Sequence, residues 1–223
     1  MTGTQVSQTR RSEFRSRVAG LPAVAAALLP FCLSAVLNSA SAQTQAVPPP
    51  GSTLVATQTV SAGTAIQFTG LAGNAPYRLT CHGVQVGTNN VHVELQVGEG
   101  SAPSWETASS YWVAAAANNS SGSAVASFDS QAAGGIWLDW STGIMSNAGT
   151  ALALFDILFA DLAAAGYKKF NFTGALDNGS GNSNSTFGYG AWHGDTGAIT
   201  AVQLVPSSGT ISGTCNLYQL AGA

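Results

Sequence analysis

Charge is what this sequence has least of. Only 8% of its 223 residues are Asp, Glu, Lys or Arg. Four of the seven basic residues (Arg10, Arg11, Arg15, Arg17) stand near the N-terminus. Beyond Ala42 only Arg78, Lys168 and Lys169 face nine acids, so 3 − 9 gives −6. That balance excludes a nucleic-acid groove, which needs clustered cations to neutralise phosphates. Histidine is scarce too, with three residues (His82, His92, His193), and no Cys-x-x-Cys or His-Glu-x-x-His spacing occurs for zinc. A Gly-x-Ser-x-Gly elbow is missing, and so is any repeat of roughly 20 to 50 residues, which excludes a solenoid or propeller.

The remaining chemistry is thin. His193 precedes Gly194-Asp195, and with Ser207 it supplies the residue types of a nucleophilic triad, but nothing in the chain order brings the three together. Asp177, Asn178, Asn182 and Asn184 offer oxygen atoms to calcium, although a solvated Gly/Asn/Ser loop explains them more simply. The acids are scattered singly, with no pair to nominate for glycoside hydrolysis. Neither a catalytic residue, nor a metal, nor a cofactor is expected.

What is present is alternation. Val91, Val93, Leu95 and Val97 make the cleanest strand, with His92, Glu94 and Gln96 predicted to face solvent. Ile66 and Phe68 share one face. So do Tyr77, Leu79 and Cys81, before Gly83 shifts the phase to Val84 and Val86, which predicts either a bulge or the end of the strand. Ala114 to Gly122 reads as a low-complexity connection, followed by a weak strand over 124–128 and a short one over 136–140. Leu152 to Phe159 reads as a strand followed by one helical turn ending at Gly166, and Phe170 and Phe172 point inward. Near the C-terminus two alternating runs flank a Pro-Ser-Ser-Gly turn. Val202 and Leu204 share a face in the first, and Ile211, Cys215 and Leu217 share one in the second, which predicts an antiparallel pair. The fold class is therefore all-β, an antiparallel, jelly-roll-like β-sandwich.

The chain divides in three. Residues 1–42 run from an Arg-rich start through an apolar stretch (Leu21 to Leu37) to Ala40-Ser41-Ala42, the order of a secretory signal peptide. This signal-like helix is expected outside the domain, with cleavage near Ala42. Pro22 and Pro30 argue against a permanent span. The alternative is a gene start assigned upstream of the true one. Residues 43–58, with Pro48-Pro49-Pro50, read as an extended linker, and 59–223 as the sandwich.

The closing stretch carries a resemblance. Ile199, Thr200, Val202, Leu204, Ser207-Ser208-Gly209, Ile211, Gly213-Thr214, Leu217-Tyr218 and Leu220 resemble the last strands of small β-sandwich proteins of tailed bacteriophages and prophages. Cys215 and Gln219 depart from that pattern, where Ile and Gly are usual. Further anchors reach back to about residue 60: Ala65 to Leu71, the Gly98-Glu99-Gly100 turn with Trp105 and Tyr111-Trp112, and Tyr167 to Thr173. The resemblance implies a tail or virion-structural protein, with other virion or tail proteins and further copies of itself as partners.

Aromatic residues offer the one binding signal. At least half of Trp105, Trp112, Trp137, Trp140, Tyr189 and Trp192 are expected in the core, which leaves Tyr189 and Trp192 as candidate ligand contacts. Cys81 and Cys215 both fall on inward faces. They form either a disulfide, if the chain reaches an oxidising compartment, or two separate buried thiols. Two functions follow as expectations. The first is a non-enzymatic structural or adhesion module of a phage-like particle, located in the virion and contacting a host surface. The second is an exported bacterial β-sandwich, secreted or periplasmic, that binds carbohydrate or another cell-surface ligand.

Overall fold

Alternation of apolar and polar side chains builds strands throughout. The computed structural model describes residues 48–108, 110–119, 126–132, 134–139, 145–160, 162–163, 165–177, 183–194 and 196–221, with only the backbone of 119 and 126–132. The signal-like segment, residues 43–47 of the Pro-rich stretch, and Trp140, Asn178, Asn182 and Asp195 lie outside the described residues.

In chain order the strands are β1 (Ser52–Gly63), β2 (Ile66–Thr69), β3 (Tyr77–Val86), β4 (Val93–Glu99), β5 (Ser104–Trp105), β6 (Tyr111–Asn119) and β7 (Ala126–Ala132). They continue as β8 (Ile136–Trp137), β9 (Ala153–Ala160), β10 (Lys168–Asp177), β11 (Ser183–Trp192), β12 (Ile199–Pro206) and β13 (Ile211–Leu220). All described pairings are antiparallel. One sheet has eight strands in the order β1-β13-β3-β9-β10-β11-β6-β7. The other has five, in the order β2-β12-β4-β5 with β8 beside β4. Their inner faces meet in one apolar cluster that takes Ile66, Val93, Leu95, Val202 and Leu204 from the small sheet and Leu79, Phe155, Phe170, Ile211 and Leu217 from the large one. The protein is an all-β sandwich.

Several expectations change in detail. The runs around Pro206-Ser207-Ser208-Gly209 do not pair with each other. β12 lies in the small sheet between β2 and β4, while β13 lies in the large sheet between β1 and β3. Two strands facing each other across a core alternate as two hairpin strands do, so periodicity cannot separate the cases. The segment read as linker gives way to β1 at Ser52. As an edge strand, β1 buries little and so carries a weak pattern. The Ala-rich stretch after Trp112 continues β6 to Asn119, held by its register with β11. The residues described between β9 and β10 form turn and bend, and no helix occurs among the described residues.

The polar residues between the valines of β4 are also not in water. Glu94 and Gln96 are each 8% exposed. Gln67, Gln203 and Gln96 are register partners across β2, β12 and β4. Gln67 Nε2 donates to Gln203 Oε1 at 2.7 Å, Gln203 Nε2 to Gln96 Oε1 at 2.7 Å, and Gln96 Nε2 to Gly134 O at 2.6 Å. This chain of amides satisfies groups that would otherwise be costly to bury. The segment around Gly134-Gly135 thus covers the outer face of the small sheet.

One backbone conformation and one covalent link position the rest. Gly83 holds φ at +61° where the β3 register shifts between Cys81 and Val84, a conformation that suits glycine. Cys81 and Cys215 are register partners on β3 and β13 and are joined by a disulfide across 134 residues of sequence. In the chain-entropy account such a closure contributes about 4–5 kcal/mol.

The facing of β13 has a direct test. Leu217 is 1% exposed in the shared core, whereas Asn216 is half-buried on the opposite face, where its Oδ1 accepts from Thr57 Oγ1 at 2.7 Å. Leu217→Ala is expected to cost about 2–5 kcal/mol and Asn216→Ala about 0.5 kcal/mol or less. Equilibrium denaturation of the two variants compares them, and a larger loss for Asn216→Ala contradicts the assignment.

Candidate functional surfaces

On the outer face of the large sheet, β11 presents its odd-numbered side chains. Phe187 is 52% exposed and Tyr189 63% exposed, while Trp192 is wholly buried. Residues 189 and 192 are three apart, so a strand sends them to opposite faces. The expectation that Trp192 contacts ligand is therefore corrected: its ring lies in the core, with Lys168 Nζ 5.6 Å from the ring centroid. Close packing is also why glycine recurs here. A Cβ at Gly190 would stand 2.7 Å from Ile136 Cδ1.

Neighbouring strands extend the aromatic surface. Trp112 on β6 is 55% exposed and Tyr167, just before β10, is 66% exposed. The His193 ring sits between them, edge to face with Trp112 at 5.6 Å and with Tyr167 at 5.4 Å. Of the six aromatics singled out from sequence, only Trp192 is fully buried among the five described. Trp105 and Trp137 are half-buried, and Trp112 and Tyr189 are exposed. Trp112, Tyr167 and Phe187 were missed as surface groups, yet parity marks two of them. Trp112 alternates with the inward Tyr111 and Val113, and Phe187 shares its face with Tyr189.

Two cross-strand rows lead from these rings to polar groups. Tyr189 pairs with Asn171, which pairs with Leu158, which pairs with Arg78. Phe187 pairs with Thr173, then Asp156, then Thr80. Arg78 donates from Nε to Asp156 Oδ1 at 2.8 Å and from Nη2 to Oδ2, a bidentate pair that remains part-exposed. The Asp156 hydrogen bond raises the Arg78 guanidinium above its ordinary value, against a lowering by burial. Over Leu158, Asn171 and Thr173 lies a groove of about 470 Å³ that Pro49 and Pro50 also line.

The second cluster lies on the outer face of the small sheet. His92 is not the solvent-facing residue that alternation predicts. Its ring stacks on Trp137 at 4.2 Å with planes 4° apart, and its Nδ1 lies 3.0 Å from Asp139 Oδ1. Asp139 is fully buried in side chain, with His92 15% exposed. Loss of water alone would lower the His92 value, but the hydrogen bond and charge of Asp139 outweigh it and hold the imidazole above the ordinary 6.5. Burial raises the Asp139 and Glu94 carboxyls, and His92 partly offsets both rises.

Ser207 belongs to this cluster rather than to His193. Its N–H donates to His92 O at 2.8 Å, and its Oγ accepts from His92 N at 3.0 Å. Ser207 and His193, two members of the triad weighed from sequence, thus stand at separate places, and Asp195 lies outside the described residues. The oxygen-rich loop is likewise divided. Asn184 is buried in β11, and Asp177 Oδ1 accepts from Ser183 Oγ at 2.6 Å. Among the described residues no three His, Cys, Asp or Glu side chains are grouped to hold a metal ion.

The His92 cluster generates a pH prediction. His92, Asp139 and Glu94 all hold protons more tightly in the folded state. The folded state then binds more protons than the unfolded one, so stability falls as pH rises. The His92 share is fully present below its unfolded value near 6.5 and is lost as pH passes its raised folded value. Denaturation midpoints at about pH 5.5 and pH 8.5, either side of the histidine range, should drop at the higher pH. The drop should shrink in Asp139→Asn; a wild-type midpoint that rises instead contradicts the pairing.

Comparison with protein-family models, with curated proteins and with solved structures returns no match to this chain, so the geometry of its two outer faces carries the functional reading.

Proposed function

We propose that the protein is a non-enzymatic adhesion module of a phage-like particle, a tail- or fibre-associated sandwich that holds a saccharide of the host surface. The observation that carries this reading is the aromatic outer face of the large sheet. Trp112, Tyr167, Phe187 and Tyr189 are each more than half exposed on or beside adjoining strands. Large rings on a surface that repays no burial within the chain mark a binding surface. Rings with amide and hydroxyl neighbours such as Asn171 and Thr173 suit ligands that are apolar on one side and hydrogen-bonding on the other. The particle setting is favoured by the resemblance of the closing strands to small phage tail proteins, with other tail proteins and further copies of the chain as neighbours.

A second reading keeps the surface and changes the setting. The charged, apolar, small-residue order ending at Ala42 and the Cys81–Cys215 disulfide favour an exported bacterial protein that binds carbohydrate. N-terminal sequencing of material from the producing cell separates the two. A mature start near Gln43 supports export, and an intact Met1 supports the particle protein.

Binding is tested on an array of bacterial-type oligosaccharides, neutral and acidic, followed by calorimetry on the best ligand. Tyr189→Ala should weaken affinity at least about tenfold, as expected when an aromatic hot spot worth more than about 1.4 kcal/mol is removed. Its thermal midpoint should hardly change, because the ring is exposed. Full affinity in Tyr189→Ala overturns the assignment of this face.

A further inference from the structure

We infer that the groove beside Tyr189 is a subsite for a neutral sugar ring bearing two adjacent hydroxyls. This inference rests on the binding role proposed above and adds which ligand chemistry is selected and where. The groove is lined by Pro49, Pro50, Leu158 and Leu220 on its apolar sides, and by Arg78, Asp156, Asn171 and Thr173 on its polar ones. Its volume of about 470 Å³ falls within the roughly 300–1,000 Å³ of small-ligand sites.

The polar side selects for neutrality. Arg78 spends two of its guanidinium N–H donors on Asp156, which leaves the others and the outward lone pairs of the carboxylate for a ligand. Donors and acceptors therefore stand side by side with no net charge. A vicinal diol meets that arrangement, since one hydroxyl donates to the carboxylate while its neighbour accepts from the guanidinium or from Asn171. An acidic sugar brings a carboxylate against Asp156, and an amino sugar brings a cation against Arg78. Each meets a like charge in one member of the pair, which a neutral diol does not. The apolar side receives the C–H face of the ring on the prolines and Leu158.

The wall is already in place. Pro49 O accepts from Ser52 N at 3.0 Å and from Ser52 Oγ at 2.6 Å, and Ala221 N donates to Gly51 O at 2.7 Å. The turn that carries the prolines is thus closed onto the start of β1 and pinned through Gly51 to the residue after β13, so little ordering remains to oppose binding. Asn171 connects the groove to the aromatic face, because it is the register partner of both Tyr189 and Leu158.

The experiment is calorimetric titration with maltotriose, cellotriose and trigalacturonate, together with the best array ligand, on wild type, Asn171→Ala, Thr173→Val and Tyr189→Ala. Asn171 and Thr173 are exposed side chains, so the variants should keep the wild-type thermal midpoint. The expected result is binding of a neutral sugar, with affinity reduced at least fivefold in Asn171→Ala or Thr173→Val. If Tyr189→Ala weakens binding while both groove variants retain full affinity, the sugar lies on the rings outside the groove, and the inference falls while the proposed function stands. Preference for trigalacturonate or another acidic ligand also overturns it. If wild type binds no saccharide in the array or the titrations, both the inference and the binding role fall.

Discussion

The sandwich depends on β12 and β13, consecutive strands that lie in different sheets. β13 is held between β1 and β3, and β12 between β2 and β4. The first four strands therefore alternate between sheets and dock on either side of the last two. Their buried faces meet in one cluster, Val202 and Leu204 from one side and Ile211, Cys215 and Leu217 from the other. The Cys81–Cys215 disulfide joins β3 to β13 at register-paired positions within that core. Pairings of such long sequence separation close large loops before they are rewarded, so this brace is entropically costly to form and cooperative once made.

With the ends of the domain so braced, the two outer faces differ in chemistry. That of the small sheet is sealed by the Gln67–Gln203–Gln96 amide chain and by the segment carrying Trp137 and Asp139. Its polar groups are largely spent on one another, and its response to protons is one of stability. The outer face of the large sheet carries exposed rings, an exposed Asn171 and Thr173, and a part-exposed ion pair. On this face Tyr189, Asn171 and Arg78 stand in register along one row, and Phe187, Thr173 and Asp156 along the next.

Much of this was legible from period-two alternation. The inward residues of β3, β4, β10, β12 and β13 were readable because each strand buries one side against a single core. What alternation cannot carry is partnership. It could not tell that β12 and β13 face each other across the core instead of pairing, nor that Glu94 and Gln96 are covered by a segment some forty residues away. Residue type alone favours the surface for Trp192, although its three-residue offset from Tyr189 places the two on opposite faces of a strand. The groove depends on Pro49, Leu158 and Asn171 meeting across 122 residues of chain (171 − 49), a juxtaposition no local pattern records.

Native-state hydrogen exchange tests the brace most directly. If β12 and β13 hold both sheets together, the amides of Val202, Leu204, Leu217 and Tyr218 should exchange only through global unfolding, at a free energy equal to that from denaturant titration. Amides of β6 and β11 at the far side of the large sheet should open at lower cost. Exchange of β12 or β13 through a smaller opening, while β6 and β11 remain protected, would contradict the account.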